Sequence, residues 1–413
     1  MNKRLRSIWI VALCFFQLQV HSQTINELLQ KAVQNNPLLH AIELEYEAML
    51  LGAEQEKQLP DPQLGIAVPI LRPETRLGAQ VVTVQASQMF PWFGTLQAKE
   101  NVKISMAKTQ YEKLALERLN LFYQIKSAYY QLYLIDQKKA IIEDNIRLFE
   151  TLERVALAKV ESGKSISSDV LKIKLKVAEL ENVLKVLDSK KPALFASINE
   201  ATGSNISDSI MVTETLDSIA FIDFDLNNFQ DLLSVHHPLI KQLDWQIETS
   251  QEKQALNKLN GMPSFGVGLD YSAVRERTDA FPMNNGRDIL IPKVMVSIPI
   301  NRKKYKAKDK EEALYQEAIT LRKEDEVNEM LMHLQGVKSL YDENVLHIQL
   351  IAQQKIIAES AYSILLSEYS SKGNRFDELI QILSQLYEYD IAILTARVNT
   401  FEAKAQIDRL TDF

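Results

Sequence analysis

The side chains in this 413-residue chain that could do chemistry are few and dispersed. His236 and His237 are adjacent and invite a metal reading. Neighbouring helical positions point about 100° apart, however, so the two cannot easily hold one ion. They read better as histidines of a helix start. The ten methionines include the initiator and form no cluster that would relay copper. No P-loop, Gly-x-Ser-x-Gly elbow or His-Glu-x-x-His pair occurs, so neither an enzyme nor a cofactor or metal centre is expected. Two carboxylates do sit at marked positions: Asp169 follows Gly163, and Glu378 follows Gly373, with Gln381 three residues further on. Taken alone, they suit helix N-termini, where the macrodipole favours negative charge. A basic run, Arg302, Lys303, Lys304, Lys306, Lys308 and Lys310, reads as a solvated face beyond the last strand.

Residues 1–22 carry the marks of a secretory signal peptide: Lys3, Arg4 and Arg6, then a run from Ile8 to Val20 that is apolar apart from Gln17 and Gln19, then Ser22 before a cut at Gln23. The single cysteine, Cys14, lies inside this segment, and lipidation there is the alternative fate of the N-terminus. Cleavage at Ser22 leaves no thiol and moves the formal charge from −7 to −10 by removing those three cations. An acidic chain without a basic domain argues against nucleic acid as a partner.

Only 12 Gly and 12 Pro punctuate the chain, as long helices require. The organisation is a two-fold repeat. Asn36-Pro37-Leu38 is echoed by His237-Pro238-Leu239, and Pro62 by Pro263, both at an offset of 201. Phe90-Pro91 meets Ile298-Pro299 at 208, the added residues falling in a loop between strands. The first repeat occupies 23–203, with strands near 62–71 and 80–90 and a helical hairpin near 95–202. The second occupies 226–413, with strands near 263–272 and 289–299 and a hairpin near 304–412. The connector at 204–225 is expected to hold short elements.

Thr24-Ile25-Asn26-Glu27 fits a capping box. From Leu96 to Val160 there is neither proline nor glycine, and Leu119, Phe122, Ile125, Tyr129, Leu132, Ile142, Ile146, Phe149 and Leu152 recur at coiled-coil spacing. Val327, Met330, Leu334, Val337, Ile348 and Ala352 repeat the pattern. Each long helix is expected to end at a tip glycine, Gly163 or Gly373, in the left-handed turn of a hairpin.

The strands alternate with period two. Leu64, Ile66 and Val68, then Val82 and Val84, then Phe265, Val267 and Leu269, then Val294 and Val296 form apolar faces opposite small or polar residues. These faces are expected to meet lipid, with Trp92 and Tyr271 at the membrane interface. Four strands cannot close a membrane barrel, whereas three chains supply twelve.

The chain resembles the TolC-type outer-membrane efflux proteins over essentially its whole mature length. The likeness is carried by Asn36-Pro37-Leu38, by Gln88-Met89-Phe90-Pro91-Trp92-Phe93-Gly94, by Ser297-Ile298-Pro299-Ile300, and by the tips Glu161-Ser162-Gly163 through Leu171 and Lys372-Gly373 through Leu379. The Phe-Pro-Trp junction is similar to the branch serving heavy-metal pumps. Asn301-Arg302-Lys303-Lys304 departs from the glycine-rich second junction common in the family. The resemblance implies a mainly α fold with a small β portion, and a homotrimer with a 12-stranded outer-membrane β-barrel continued by a periplasmic α-helical barrel. It also implies a periplasmic adaptor and an inner-membrane transporter, of RND type, as partners. Its function would be passive conduction of drugs or heavy-metal cations. A duct for type I polypeptide secretion and a poreless periplasmic coiled-coil scaffold are the alternatives. The resemblance makes Glu378, Asp169 and Gln381 candidates for a periplasmic gate.

Overall fold

The computed structural model describes residues 24–412; the signal segment and Cys14 lie outside them. Two opening helices, α1 (Ile25–Asn35) and α2 (Pro37–Glu56), lead to three strands, β1 (Gln63–Ala67), β2 (Glu74–Thr75) and β3 (Gly78–Phe90). A 67-residue helix α3 (Thr95–Glu161) and α4 (Ser167–Ala201) complete the first hairpin. The second copy runs α5 (Leu226–His236), α6 (Pro238–Asn260), β4 (Ser264–Arg275), β5 (Ile289–Ser297), the 70-residue α7 (Lys303–Lys372) and α8 (Phe376–Thr411). At about 1.5 Å per residue, α3 and α7 each extend on the order of 100 Å.

The helix starts follow from sequence chemistry. Thr24 Oγ1 accepts from Glu27 N at 3.3 Å while Thr24 N donates to the Glu27 carboxylate at 3.1 Å, a closed capping box. Asn36 Oδ1 accepts from the amides of Leu38 and Leu39 at 2.9 and 3.1 Å, with Pro37 in the first turn, where its missing N–H costs nothing. His237 takes the same place in the second copy, its Nδ1 accepting from Leu239 N at 3.2 Å.

The chain forms two compact units, each drawing on both repeats. One comprises residues 24–34, 124–219 and 347–398 and is wholly helical apart from its turns and connector. Its core is a set of heptad seams: Ile135, Ile142, Phe149 and Ala156 on α3, Ile173, Leu180 and Leu187 on α4, then Leu365, Tyr369, Leu379 and Leu383. Seven-residue spacing keeps one face of each helix turned to its neighbour. The connector carries no helix or strand, against expectation, because side chains satisfy its backbone. Tyr129 Oη accepts from Thr213 N at 3.3 Å and Tyr133 Oη from Leu216 N at 3.2 Å.

The other unit comprises residues 35–123, 220–346 and 399–412. Its helical core joins Leu233, Ile240 and Leu243 to Met330, Leu334, Val337, Ala403 and Ile407. It also holds the antiparallel sheet, in the order β1-β3-β4-β5, with the two-residue β2 added against β3. Strand β1 stops at Ala67, short of the expected residue 71. Pro69 and Pro73 cannot donate to a ladder. Strand β3 begins at Gly78, before the expected residue 80, β4 runs to Arg275, past the expected 272, and a bulge lies between Gln80 and Val82.

Candidate functional site

Register places the apolar residues of the sheet on one face. Val84 pairs with Ile66 and Tyr271, Ala86 with Leu64 and Leu269, Phe265 with Phe90 and Val296, and Val267 with Val294. Val82 shares the parity of Val84. No element among the described residues covers this face: Leu64 is 79% exposed and Val294 81%, and Ile66, Val68, Val267 and Val296 are exposed as well. The opposite face carries Gln63, Gln85, Ser87, Gly268, Asp270 and Lys293, with Lys293 Nζ 2.6 Å from Asp270. Thr83 and Ser272 share a hydrogen bond of 2.8 Å on that side. Trp92 follows the end of β3, its ring centroid 5.7 Å from that of Phe265.

The hairpin tips form the second feature. Gly163 and Gly373 adopt φ of 71° and 74°, the left-handed turn expected of each. The two tips abut, since a Cβ at Gly373 would lie 2.2 Å from the Lys164 carbonyl oxygen. Lys159 ties them together: its buried Nζ donates to the Ser370 carbonyl at 2.8 Å and lies 5.7 Å from the Tyr369 ring centre. A hollow of about 540 Å³ between the tips is lined by Lys164, Asp169, Arg375, Asp377 and Glu378.

The carboxylates singled out from sequence meet different fates there. Glu378 is exposed and bridges to Arg375, whose Nε donates to it at 3.0 Å and whose Nη1 reaches Glu368 at 3.1 Å. The hydrogen bond from Arg375 holds the Glu378 carboxyl below the usual carboxylate range, and the same pair raises the guanidinium. Gln381 is exposed, one turn further along α8. Asp169 is 5% exposed and accepts from the Ser165 hydroxyl at the start of α4. Lys172 pairs with Asp377, whose hydrogen bond raises the ammonium pKa. Sequence reasoning overlooked Arg375 and Lys172. The three-residue spacing of Arg375 and Glu378 was the available signal, whereas Lys172 and Asp377 meet only through the fold.

The histidines part company. His236 ends α5, while His237 is a buried cap whose burial, with the charge of Arg409, lowers it to about 4. Among the described residues no group of three or more His, Cys, Asp and Glu could hold a metal ion. No described helix is long and apolar enough to cross a membrane. Within the basic run, Arg302 donates to the Gly261 carbonyl at 2.9 Å, and Lys308 pairs with Glu312 and Glu311 at 2.8 and 2.9 Å.

No family model matches the sequence, and no curated protein does. Solved structures do. The outer-membrane channel OprN is 13% identical, with a TM-score of 0.75 over 94% of this chain and 89% of its own. CusC, described as forming a transmembrane channel, is 13% identical at 0.75, over 94% and 91%. The outer membrane protein VceC of Vibrio cholerae is 14% identical at 0.72, over 94% and 95%. At such identities the likeness is one of fold, and it extends along the whole described chain. Helical hairpins in two copies, the exposed four-strand ladder and these neighbours together give the chain the fold of the TolC-type outer-membrane channels that its sequence resembles.

Proposed function

We propose that this chain is the outer-membrane duct of a tripartite efflux system: a homotrimer whose sheets close a 12-stranded β-barrel and whose long helices continue as a periplasmic α-helical barrel. The observation that carries this reading is the sheet. Its apolar face is uncovered, and its ladder ends on two edges, β1 and β5, without a further strand among the described residues. Open edges in lipid leave backbone groups unsatisfied, at several kcal/mol each, so the four strands need partners. Three copies joined edge to edge supply twelve and leave no edge. The likeness to outer-membrane channels supports the same reading.

The chain carries no catalytic constellation, so the energy for export comes from partners. A periplasmic adaptor docks on the hairpin tips, and an inner-membrane transporter of RND type delivers drugs or heavy-metal cations. Passive conduction needs only a lumen, which the polar face of the sheet lines. At the tips, Glu378 is the gate residue best placed to ring the entrance, because it is exposed. The burial of Asp169 supports its reading as a helix-start carboxylate, and Gln381 adds a neutral polar group beside Glu378.

Detergent-solubilised protein, weighed by light scattering with the detergent subtracted, should have the mass of three chains. A monomer overturns the duct, and so does extraction from membranes without detergent. A strain lacking the protein should become sensitive to metals or drugs. Loss of a secreted polypeptide with unchanged sensitivity would move the assignment to type I secretion.

A further inference from the structure

Within the sheet-bearing unit, a pocket of about 310 Å³ opens where β3 hands over to α3 and β5 to α7. Its wall includes Trp92, Thr95, Asn260, Ser264, Ser297 and Lys304. Lys304 is the one cation among its lining residues, and none of them is a carboxylate. Thr95 opens α3 and Lys304 is second in α7, so the starts of the two long helices, equivalent places in the two repeats, face one hollow. A helix leaves its leading N–H groups without helical partners and carries partial positive charge at that end. Two such ends beside an ammonium favour a negatively charged oxygen.

Thr95 supplies the independent sign. The residue is 3% exposed, and its hydroxyl has no hydrogen-bond partner among the described residues. A buried hydroxyl without a partner is costly, so its place in the pocket wall points to an acceptor from outside the chain. Of the neighbouring cations, Arg302 is engaged by the Gly261 carbonyl and Lys308 by Glu311 and Glu312, while Lys304 Nζ lies 4.7 Å from the Tyr305 ring centre.

The level of this pocket identifies the anion's source. Phe90, Phe265 and Val296 pair at the end of the uncovered apolar face, Trp92 packs on Phe265, and Phe93 is exposed beside it. Aromatic residues at the end of an apolar strand band mark a membrane–water interface. We propose that the pocket takes the phosphate of an anionic phospholipid from the periplasmic leaflet. Lys304 Nζ and the Thr95 hydroxyl donate to its non-bridging oxygens, and its acyl chains leave the pocket past Trp92 and the exposed Phe93 towards Phe265. This rests on the reading of the sheet as membrane-embedded.

The test is titration of the delipidated, detergent-solubilised trimer with dilauroyl phosphatidylglycerol, read by native mass spectrometry. Lys304→Gln and Thr95→Val should each weaken binding by roughly tenfold, the worth of one charge-assisted hydrogen bond. Lys310→Gln, the same charge change elsewhere on α7, should leave it unaltered. Equal weakening by Lys304→Gln and Lys310→Gln would reduce the effect to diffuse basic charge and overturn the inference. Inorganic phosphate displacing the lipid at equal concentration would do so too, because the site would then serve free phosphate. If the wild-type protein is not a trimer that enters vesicles, the membrane reading itself fails. A wild-type trimer that binds the lipid indifferently to Lys304 and Thr95 sinks only the pocket.

Discussion

His237 occupies the place that Asn36 holds in the first repeat, and both cap a proline-led helix. The histidine must stay neutral to accept from Leu239 N, and burial lowers it from 6.5 to about 4. A depressed folded value means that the unfolded chain binds the extra proton first. Stability is therefore complete above pH 6.5 and is lost as pH falls towards 4, by up to about 3 kcal/mol. His237→Asn should keep the cap and remove that part of the slope, as thermal melts at pH 7 and pH 4.5 will show. Glu378 invites a different test, because its partner Arg375 is also at the tip. Glu378→Gln leaves the guanidinium to Glu368 alone, so three chains would lose three negative charges at the tips. Cation preference, read as reversal potential in a salt gradient across a planar bilayer, should fall, and Arg375→Gln should raise it. Unchanged potentials in both variants would remove the pair from the pore. Gly373→Ala should cost about 2 kcal/mol or more, since its φ is left-handed and the new methyl would meet the Lys164 carbonyl.

At the scale of elements, the seams hold the hairpins and the strand faces decide where the sheet can live. Ile173 is fully buried in the α3–α4 seam, and Ile173→Ala should destabilise by roughly 2 to 5 kcal/mol through the cavity it leaves, measured by melting of the assembled protein. On the sheet, Val267→Arg should impair membrane assembly by about 2 to 4 kcal/mol if the residue lies near the bilayer midplane. Gly268 is a poor comparator for the polar face, because a Cβ there would come 3.1 Å from the Ala86 carbonyl oxygen. Gln85, exposed on that face, is a better one. Gln85→Arg should assemble normally, scored as heat-modifiable migration on gels. Equal yields for Val267→Arg and Gln85→Arg would overturn the assignment of faces.

For the molecule as a whole, the unfilled surfaces matter more than the filled ones. In the all-helical unit, Leu350, Ile357 and Ile364 repeat every seven residues along α7 and are exposed, as are Leu171 and Leu175 on α4. A heptad stripe with no partner among the described residues is the complement of the buried seams, and further copies of the chain would cover it. Ile357→Ser together with Ile364→Ser should leave the hairpins folded by circular dichroism and weaken the trimer in sedimentation. Intact trimers at every concentration would place the subunit contact elsewhere.

Much of this protein is legible in its sequence because the governing interactions are local or periodic. The capping box at Thr24, the proline-led helices and the left-handed glycines each depend on a few consecutive residues, and the seam at Ile142, Phe149 and Leu152 depends on spacing alone. The two-face strand pattern is likewise a matter of parity. The bare connector, the burial of Asp169 and the pairing of Lys172 with Asp377 were decided by tertiary structure. Each turns on what a side chain or backbone group meets across the fold: a tyrosine hydroxyl for a connector amide, a lysine of one tip for a carboxylate of the other, a carbonyl where a glycine hydrogen just fits. Sequence spacing specifies which face a residue takes, and packing alone determines what stands opposite.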